Sequence, residues 1–515
     1  MHPQTVPSPP SPLPPFSRSS NSFSSISELE QVKRSFYQAE DEQHNVLSYG
    51  AKPDGSTDST KAFLAAWAQA CSSISPSTIY VPPGRFFLQN VEFKGPCKNK
   101  AIVVRIDGTL LAPTDYRIIG NAGNWIFFQN VDGVTVSGGV LDGHGSGLWD
   151  CKQSGKNCPS GATTLGFSNS NNIVISGLTS LNSQMVHIVI NGCNSVKIQG
   201  VRVTASGNSP NTDGIHVQLS SNITILSSKI GTGDDCVSIG AGTTNLWIEN
   251  VVCGPGHGIS IGSLGKDLNE PGVQNVTAKT ITFIGTQNGL RIKSWGRPSN
   301  GFVRNVLFQH AAMNNVQNPI VIDQNYCPDN INCPGQASGV KISDVIYQDI
   351  QGTSATQVAV RFDCSKKFPC TGIKMEDVKL TYKNQPAGAS CNNADGTTSG
   401  VIQPNSCLHQ ARCDESVRVR TASKQIADET NQNSINLYSN FASSSTLAMT
   451  NSVEKCNKAS KALNCVTALL EGEYGAIYAD LEEPEADYRI SPLHDAAAPG
   501  FLLVLKWFEL LDLRI

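Results

Sequence analysis

Asp234 and Asp235 stand side by side in IGTGDDCVSIG, residues 230–240. Val237, Ile239 and the later Ile248 read as buried strand positions around them. In a flat strand, adjacent side chains point to opposite faces, so one of two neighbouring aspartates would have to face inward. A backbone bend would remove the conflict, and Gly231 and Gly233 are the residue type that marks bulges and corners. Asp213, in NTDGIH, precedes Asp235 by the same interval at which His257, in GPGHG, follows it. If one coil of a repeat has that length, these three side chains stack on successive rungs about 4.8 Å apart. The bend then brings Asp234 to the same place. Arg291 and Lys293, in RIKSW, stand at i and i+2 and share one face of a strand. Three carboxylates beside two cations suit a negatively charged substrate, and the cations would hold or depress carboxylate pKa values. Taken singly, each of these motifs reads as a solvated turn or an exposed strand face. The shared spacing is what joins them.

The elements that must position these residues form a repeat. Between about residue 44 and residue 407 one phrase recurs: a small polar residue followed by an alternating apolar stretch. It runs from NNIVISGLTSLNS (171–183) to TGIKMEDVKLTYK (371–383). The phrase starts fall at positions 172, 195, 222, 245, 275, 305, 339 and 372. Short strands that recur with a period in the range of roughly 20–50 residues, as these do, signal a solenoid. Period-two alternation excludes helical repeats, no leucine-rich frame persists, and a propeller blade needs roughly 40 residues or more. The sequence therefore predicts an all-β fold, a right-handed parallel β-helix built as a single-stranded solenoid. The asparagines at phrase starts suit corners, because Asn tolerates the left-handed conformation. KAFLAAWAQACSS (61–73) has helical spacing and is expected to cap the open N-terminal end.

Composition agrees. The chain has 515 residues, 45 glycines and only 16% charged residues, which fits many short strands joined by polar turns. The net charge of −3 gives no support for nucleic-acid binding, and no run of about 18 apolar residues suggests a membrane span. Sixteen cysteines include the close pairs Cys151/Cys158, Cys327/Cys333, Cys364/Cys370 and Cys391/Cys407 but no CxxC. This favours disulfides of a secreted protein over zinc. The sequons at Asn222 and Asn275 agree. Residues 1–43 are Pro/Ser-rich, lack the pattern of a signal peptide and read as a disordered leader. Residues 408–515 break the repeat and read as an atypical extension. Their SPLHDAAAPGFLLVLKWFELLD is weakly ankyrin-like, and one such repeat cannot bury a core alone.

Four motifs occur in the order NTD (211–213), GDDC (233–236), GHG (256–258) and RIK (291–293). With them, residues 44–407 resemble plant polygalacturonases, the pectin-cleaving glycoside hydrolases of family 28. NVLSYGAKPDGSTDSTKAF and CNNADGTTSGVIQPNSC are also similar to that family. The resemblance implies an inverting hydrolase of α-1,4-linked galacturonan that needs no metal or cofactor and acts as a secreted, monomeric cell-wall enzyme. Asp234 would be the general acid. Asp213 and Asp235 would raise its pKa and activate the attacking water, with room for that water between acid and base. His257 would maintain the acid's protonation, and Arg291 and Lys293 would clamp the uronate carboxylate. Tyr326 would contact substrate, Asn211 would contact the sugar or orient Asp213, and Cys236 and Cys253 would pair. The alternatives are a calcium-dependent lyase on the same solenoid, a pectin-binding solenoid without activity, and a hydrolase of rhamnogalacturonan or xylogalacturonan.

Overall fold

The computed structural model of the protein describes residues 42–328 and 331–409. The leader up to residue 41 and the extension from residue 410 lie outside them, and so does the ankyrin-like segment. The described chain winds into a parallel β-helix with two sheets, one of 21 strands and one of 11. Each coil contributes one strand to the smaller sheet and the rest to the larger one. Pairing is parallel between successive coils; the short strand Gln385–Pro386 pairs antiparallel with Cys370–Tyr382.

Alternation in the sequence becomes stacking in the fold. In the smaller sheet Ile188, Ile215, Val237, Ile259, Leu290, Ile320 and Val360 lie in register on consecutive rungs, and all are fully buried. Each such aliphatic side chain contributes about 1.5–3 kcal/mol when buried. The alternate positions face outward and form the floor on which the chemistry is laid.

The corners show why the phrase starts are polar. Asn172, Ser195, Asn222, Asn245, Asn275 and Asn305 all have φ between 54° and 59°. Asn and Gly reach this left-handed region at least cost. Their side chains form a ladder: Asn245 Nδ2 donates to Asn222 Oδ1 at 3.1 Å, Asn275 to Asn245 at 3.0 Å and Asn305 to Asn275 at 3.3 Å. Both sequon asparagines, Asn222 and Asn275, are rungs of it. The next corner corrects the sequence reading. It is Asp344 (φ 55°), not residue 339, because Arg304 pairs with Ser343. The strand begins at Lys341, and Val340 is a buried residue ahead of it.

The predicted cap is the helix Thr60–Ser72, whose Ala62, Phe63, Ala66, Trp67 and Ala70 are buried at i, i+3/i+4 spacing. Trp67 Nε1 donates to the Lys94 carbonyl at 3.1 Å, and Cys71 is bonded to Cys97, a pair the sequence did not suggest. The four expected short-range pairs form, as does Cys236–Cys253. Among the described residues Cys193 is the free cysteine, and it is buried.

Candidate active site

The three strands Ile215–Gln218, Val237–Ile239 and Ile259–Leu264 pair with one constant offset, the 22 residues that separate His216 from Ser238. The offset continues through the preceding turns: the Gly214 N–H donates to the Asp235 carbonyl and the Cys236 N–H to the Gly258 carbonyl. Asp213, Asp235 and His257 therefore occupy equivalent places on three rungs, as the spacing predicts.

The bend at GTGDD is present. Residues 232–236 leave the strand conformation before Val237 resumes it. A Cβ on Gly233 would collide with the Ser209 backbone, so only glycine lets the turn lie against its neighbour. Thr212 helps hold it there, accepting from the Gly233 N–H at 3.2 Å. The disulfide of Cys236, buried beside Cys253, anchors the other end of the turn in the core.

This turn separates the two neighbouring acids. The Asp234 side chain is 19% exposed, and its Oδ1 lies 3.0 Å from His257 Nδ1. The same oxygen accepts from the Asp235 N–H at 2.8 Å. Asp235 is 1% exposed, but it is buried beneath polar side chains of the outer floor, not in the apolar interior. Ser260 Oγ and Arg291 Nη2 each donate to its Oδ1 at 2.8 Å, and Lys293 Nζ donates to its Oδ2 at 2.8 Å. Burial alone would raise its pKa. Lys293 and Arg291 outweigh burial and hold the carboxyl below its ordinary value.

Asp213 has the opposite balance. Burial, followed by the charges of Asp234 and Asp235, pushes its pKa up to about 7, against smaller opposing effects of Ser238 and Lys293. The sequence reading placed the retained proton on Asp234. In the structure the carboxyl driven to keep a proton is Asp213, because burial acts on it with no bonded cation to offset the cost.

Arg291 and Lys293 share the floor as expected, yet both are engaged by Asp235. Lys293 also faces the Tyr326 ring, 5.2 Å from its centroid, and Tyr326 meets Trp295 edge to face at 5.4 Å. Trp295 was not singled out from sequence, although it lies just beyond Lys293. Asn211 is exposed, in the left-handed conformation, and its side chain makes no hydrogen bond among the described residues.

Asp234, Asp235 and His257 bring ligand atoms within 4.8 Å of one another. Two bonded cations already neutralise Asp235, and they would repel a divalent ion placed there. A cavity of about 520 Å³ begins on the rung after Lys293 and is lined by Asn325, Asp363, Ser365, Lys366, Asn392 and His409 among others. It has no acid beside a partner base at its surface comparable to Asp234 and His257, so chemistry and not concavity locates the site.

The sequence matches the profile described as "Glycosyl hydrolases family 28" over residues 71–407. It is 74% identical to a polygalacturonase of Prunus persica over 366 residues, covering 71% of this chain and 93% of that protein. It is 44% identical to an exopolygalacturonase of Platanus acerifolia, covering 70% of this chain and 96% of that one. The solved structure of a polygalacturonase from Erwinia carotovora ssp. carotovora superposes with a TM-score of 0.52 at 25% identity, over 66% of this chain and 94% of its own. A right-handed β-helix with this profile and these relatives is a glycoside hydrolase, and the chain belongs to glycosyl hydrolases family 28.

Proposed function

We propose that the protein is a polygalacturonase that hydrolyses α-1,4-galacturonosyl linkages of pectin with inversion. The observation that carries this is the unequal treatment of three neighbouring aspartates. Asp234 reaches solvent and touches His257, Asp235 is held ionised by two cations, and Asp213 retains a proton. Sites that push the pKa values of adjacent carboxyls apart are built for acid and base roles.

Asp234 gives its proton to the leaving glycosidic oxygen. Asp213 and Asp235 together hold one negative charge at acidic pH: protonated Asp213 orients the attacking water, and ionised Asp235 takes its proton. His257 Nδ1, 3.0 Å from Asp234 Oδ1, keeps Asp234 in place. Arg291 and Lys293, with Tyr326 beside them, receive the uronate carboxylate, which favours the free acid over its methyl ester. The Asp213 proton is lost as pH rises through about 7, and with it the group that orients the water, so activity should fall there. Six disulfides among the described residues support a secreted enzyme of the cell wall, acting as a monomer on homogalacturonan.

The test uses the full-length chain with de-esterified polygalacturonate, with and without EDTA, following reducing ends and the ultraviolet absorbance of unsaturated uronides together. Reducing ends should rise without absorbance and without dependence on EDTA. Asp234→Asn should lower the rate by about 10²–10⁴-fold, the usual contribution of general acid catalysis. Absorbance that appears and is abolished by EDTA would establish a lyase instead. Absence of product would move the assignment to pectin binding or to another pectic substrate.

A further inference from the structure

Met185 stands three residues before Ile188, as Asp234 stands three before Val237. Ile188, Ile215 and Val237 lie in register on consecutive rungs. Met185 therefore takes the place of Asp234 two rungs nearer the N-terminus, about 10 Å away. Arg291 belongs to the rung two places to the other side, reached through the strand of Ile259. The acid is thus flanked at equal intervals, by Arg291 and Lys293 on one side and by Met185 on the other. Met185 brings a cation of its own, for Lys152 Nζ donates to Met185 Sδ at 3.3 Å. Lys152 lies near the end of the helix Ser146–Gln153, which is fastened to the rim of the coils. Trp149 Nε1 donates to the Ser183 carbonyl and Gln153 Nε2 to the Asn208 carbonyl, both at 3.0 Å, and Cys151 is bonded to Cys158. Gly161 allows the close packing: a Cβ there would stand 2.6 Å from Met185 Cγ and 2.7 Å from Leu148 Cδ2.

We propose that Lys152 binds the carboxylate of a second uronate, on the side of Asp234 away from Arg291 and Lys293. The inference rests on the polygalacturonase reading. Lys152 is partly buried, and among the described residues its ammonium meets no carboxylate and no oxygen. A thioether is a weak acceptor and carries no charge. Burial pulls the Lys152 pKa below the ordinary lysine value, since no anion on the protein offsets the desolvation. A charge taken partly out of water is costly until it is paired, and a galacturonan chain laid along the coils supplies the missing partner. Its carboxylates repeat along the polymer, so one chain engages cations on both sides of the acid. Lys152 holds it on one side and Arg291 with Lys293 on the other, with the scissile bond over Asp234 between them.

The experiment measures kcat and KM of the full-length chain on de-esterified polygalacturonate. Lys152→Met removes the charge and leaves an unbranched side chain against Met185. KM should rise about tenfold, the loss of one charge-assisted hydrogen bond, with kcat nearly unchanged. Lys152→Arg keeps the charge and should restore most of the affinity. Lys156, an exposed lysine inside the same disulfide loop, is the control: Lys156→Met should leave KM as it is, which separates a site from general attraction to a polyanion. The melting temperature of Lys152→Met should not fall, because the charge it removes has no partner in the free protein. An unmoved KM in Lys152→Met, a loss confined to kcat, or an equal rise in Lys156→Met would overturn the proposal. Calorimetric titration of the Asp234→Asn chain with a galacturonate hexamer, with and without Lys152→Met, should read the same tenfold loss without turnover. A wild-type chain that binds the hexamer but releases no product would overturn the polygalacturonase reading alone, and the titration would still decide whether Lys152 holds a carboxylate.

Discussion

At the scale of single residues, identical side chains acquire different chemistry from their partners. Asp235 touches two permanent cations, and Asp213 touches none. For Asp213 the folded-state pKa lies above the ordinary carboxylate value. Its contribution to stability is therefore full below that ordinary value and is lost as pH rises through about 7. Asp213→Asn should remove this penalty. Its melting temperature should exceed that of wild type above pH 7 and match it near pH 4, roughly the unperturbed Asp value, while hydrolysis is lost. An equal difference at both pH values in thermal melts would show that Asp213 is not the group held protonated. The acids, His257 and both cations were legible in the sequence because one constant offset relates the acids and the histidine, and an i, i+2 spacing pairs the cations. His216, Ser238 and Ser260 were not picked out, since a single polar residue between two apolar ones is what any strand shows. A signal was there: IHV, VSI and ISI recur at the same offset, so three polar residues had to share the floor with the aspartates.

At the scale of elements, the corners explain the polar phrase starts. A left-handed residue at the same place in each coil lets short strands turn without loss of register, and the amide ladder ties one corner to the next. Asn245 sits in the middle, donating to Asn222 and accepting from Asn275. Asn245→Gly loses both bonds, about 1 kcal/mol each. Asn245→Ala loses them too and, unlike Gly, keeps a Cβ in the left-handed region with no polar side chain to favour it, a cost of about 1–2 kcal/mol relative to Gly. Urea unfolding should thus rank wild type above Gly and Gly above Ala, with the slope m unchanged. If Ala is as stable as Gly, the conformation and not only the ladder has been misread. The sequence located these corners wherever the coils are regular. It failed at residue 339 because the loop carrying Cys327–Cys333 precedes that coil, and a buried apolar residue ahead of the strand copied the start of the phrase. It also missed the cross-link of cap helix to coil, since Cys71 and Cys97 are 26 residues apart and share no short loop.

At the scale of the whole molecule, the solenoid converts spacing along the chain into position on a surface. Parallel coils place residues from distant segments, such as Asp235 and Lys293, 2.8 Å apart. The aspartates and His257 sit in the turns that lead directly into strands whose other face is core, and Arg291 and Lys293 sit on such a strand, so the packing that stabilises the coil also fixes the floor. The central claim is that this floor hydrolyses galacturonan by a single displacement, with Asp234 as acid and water delivered from the opposite face. The measurement that tests it most directly is the anomeric proton NMR spectrum of galacturonan oligomers in the first moments after cleavage by the full-length chain. The account predicts that new reducing ends appear first in the β configuration and only then mutarotate. New ends that appear first as α would mean a covalent intermediate and a nucleophilic aspartate, and unsaturated ends would mean elimination. Either would contradict an acid at Asp234 and a water activated by Asp213 and Asp235.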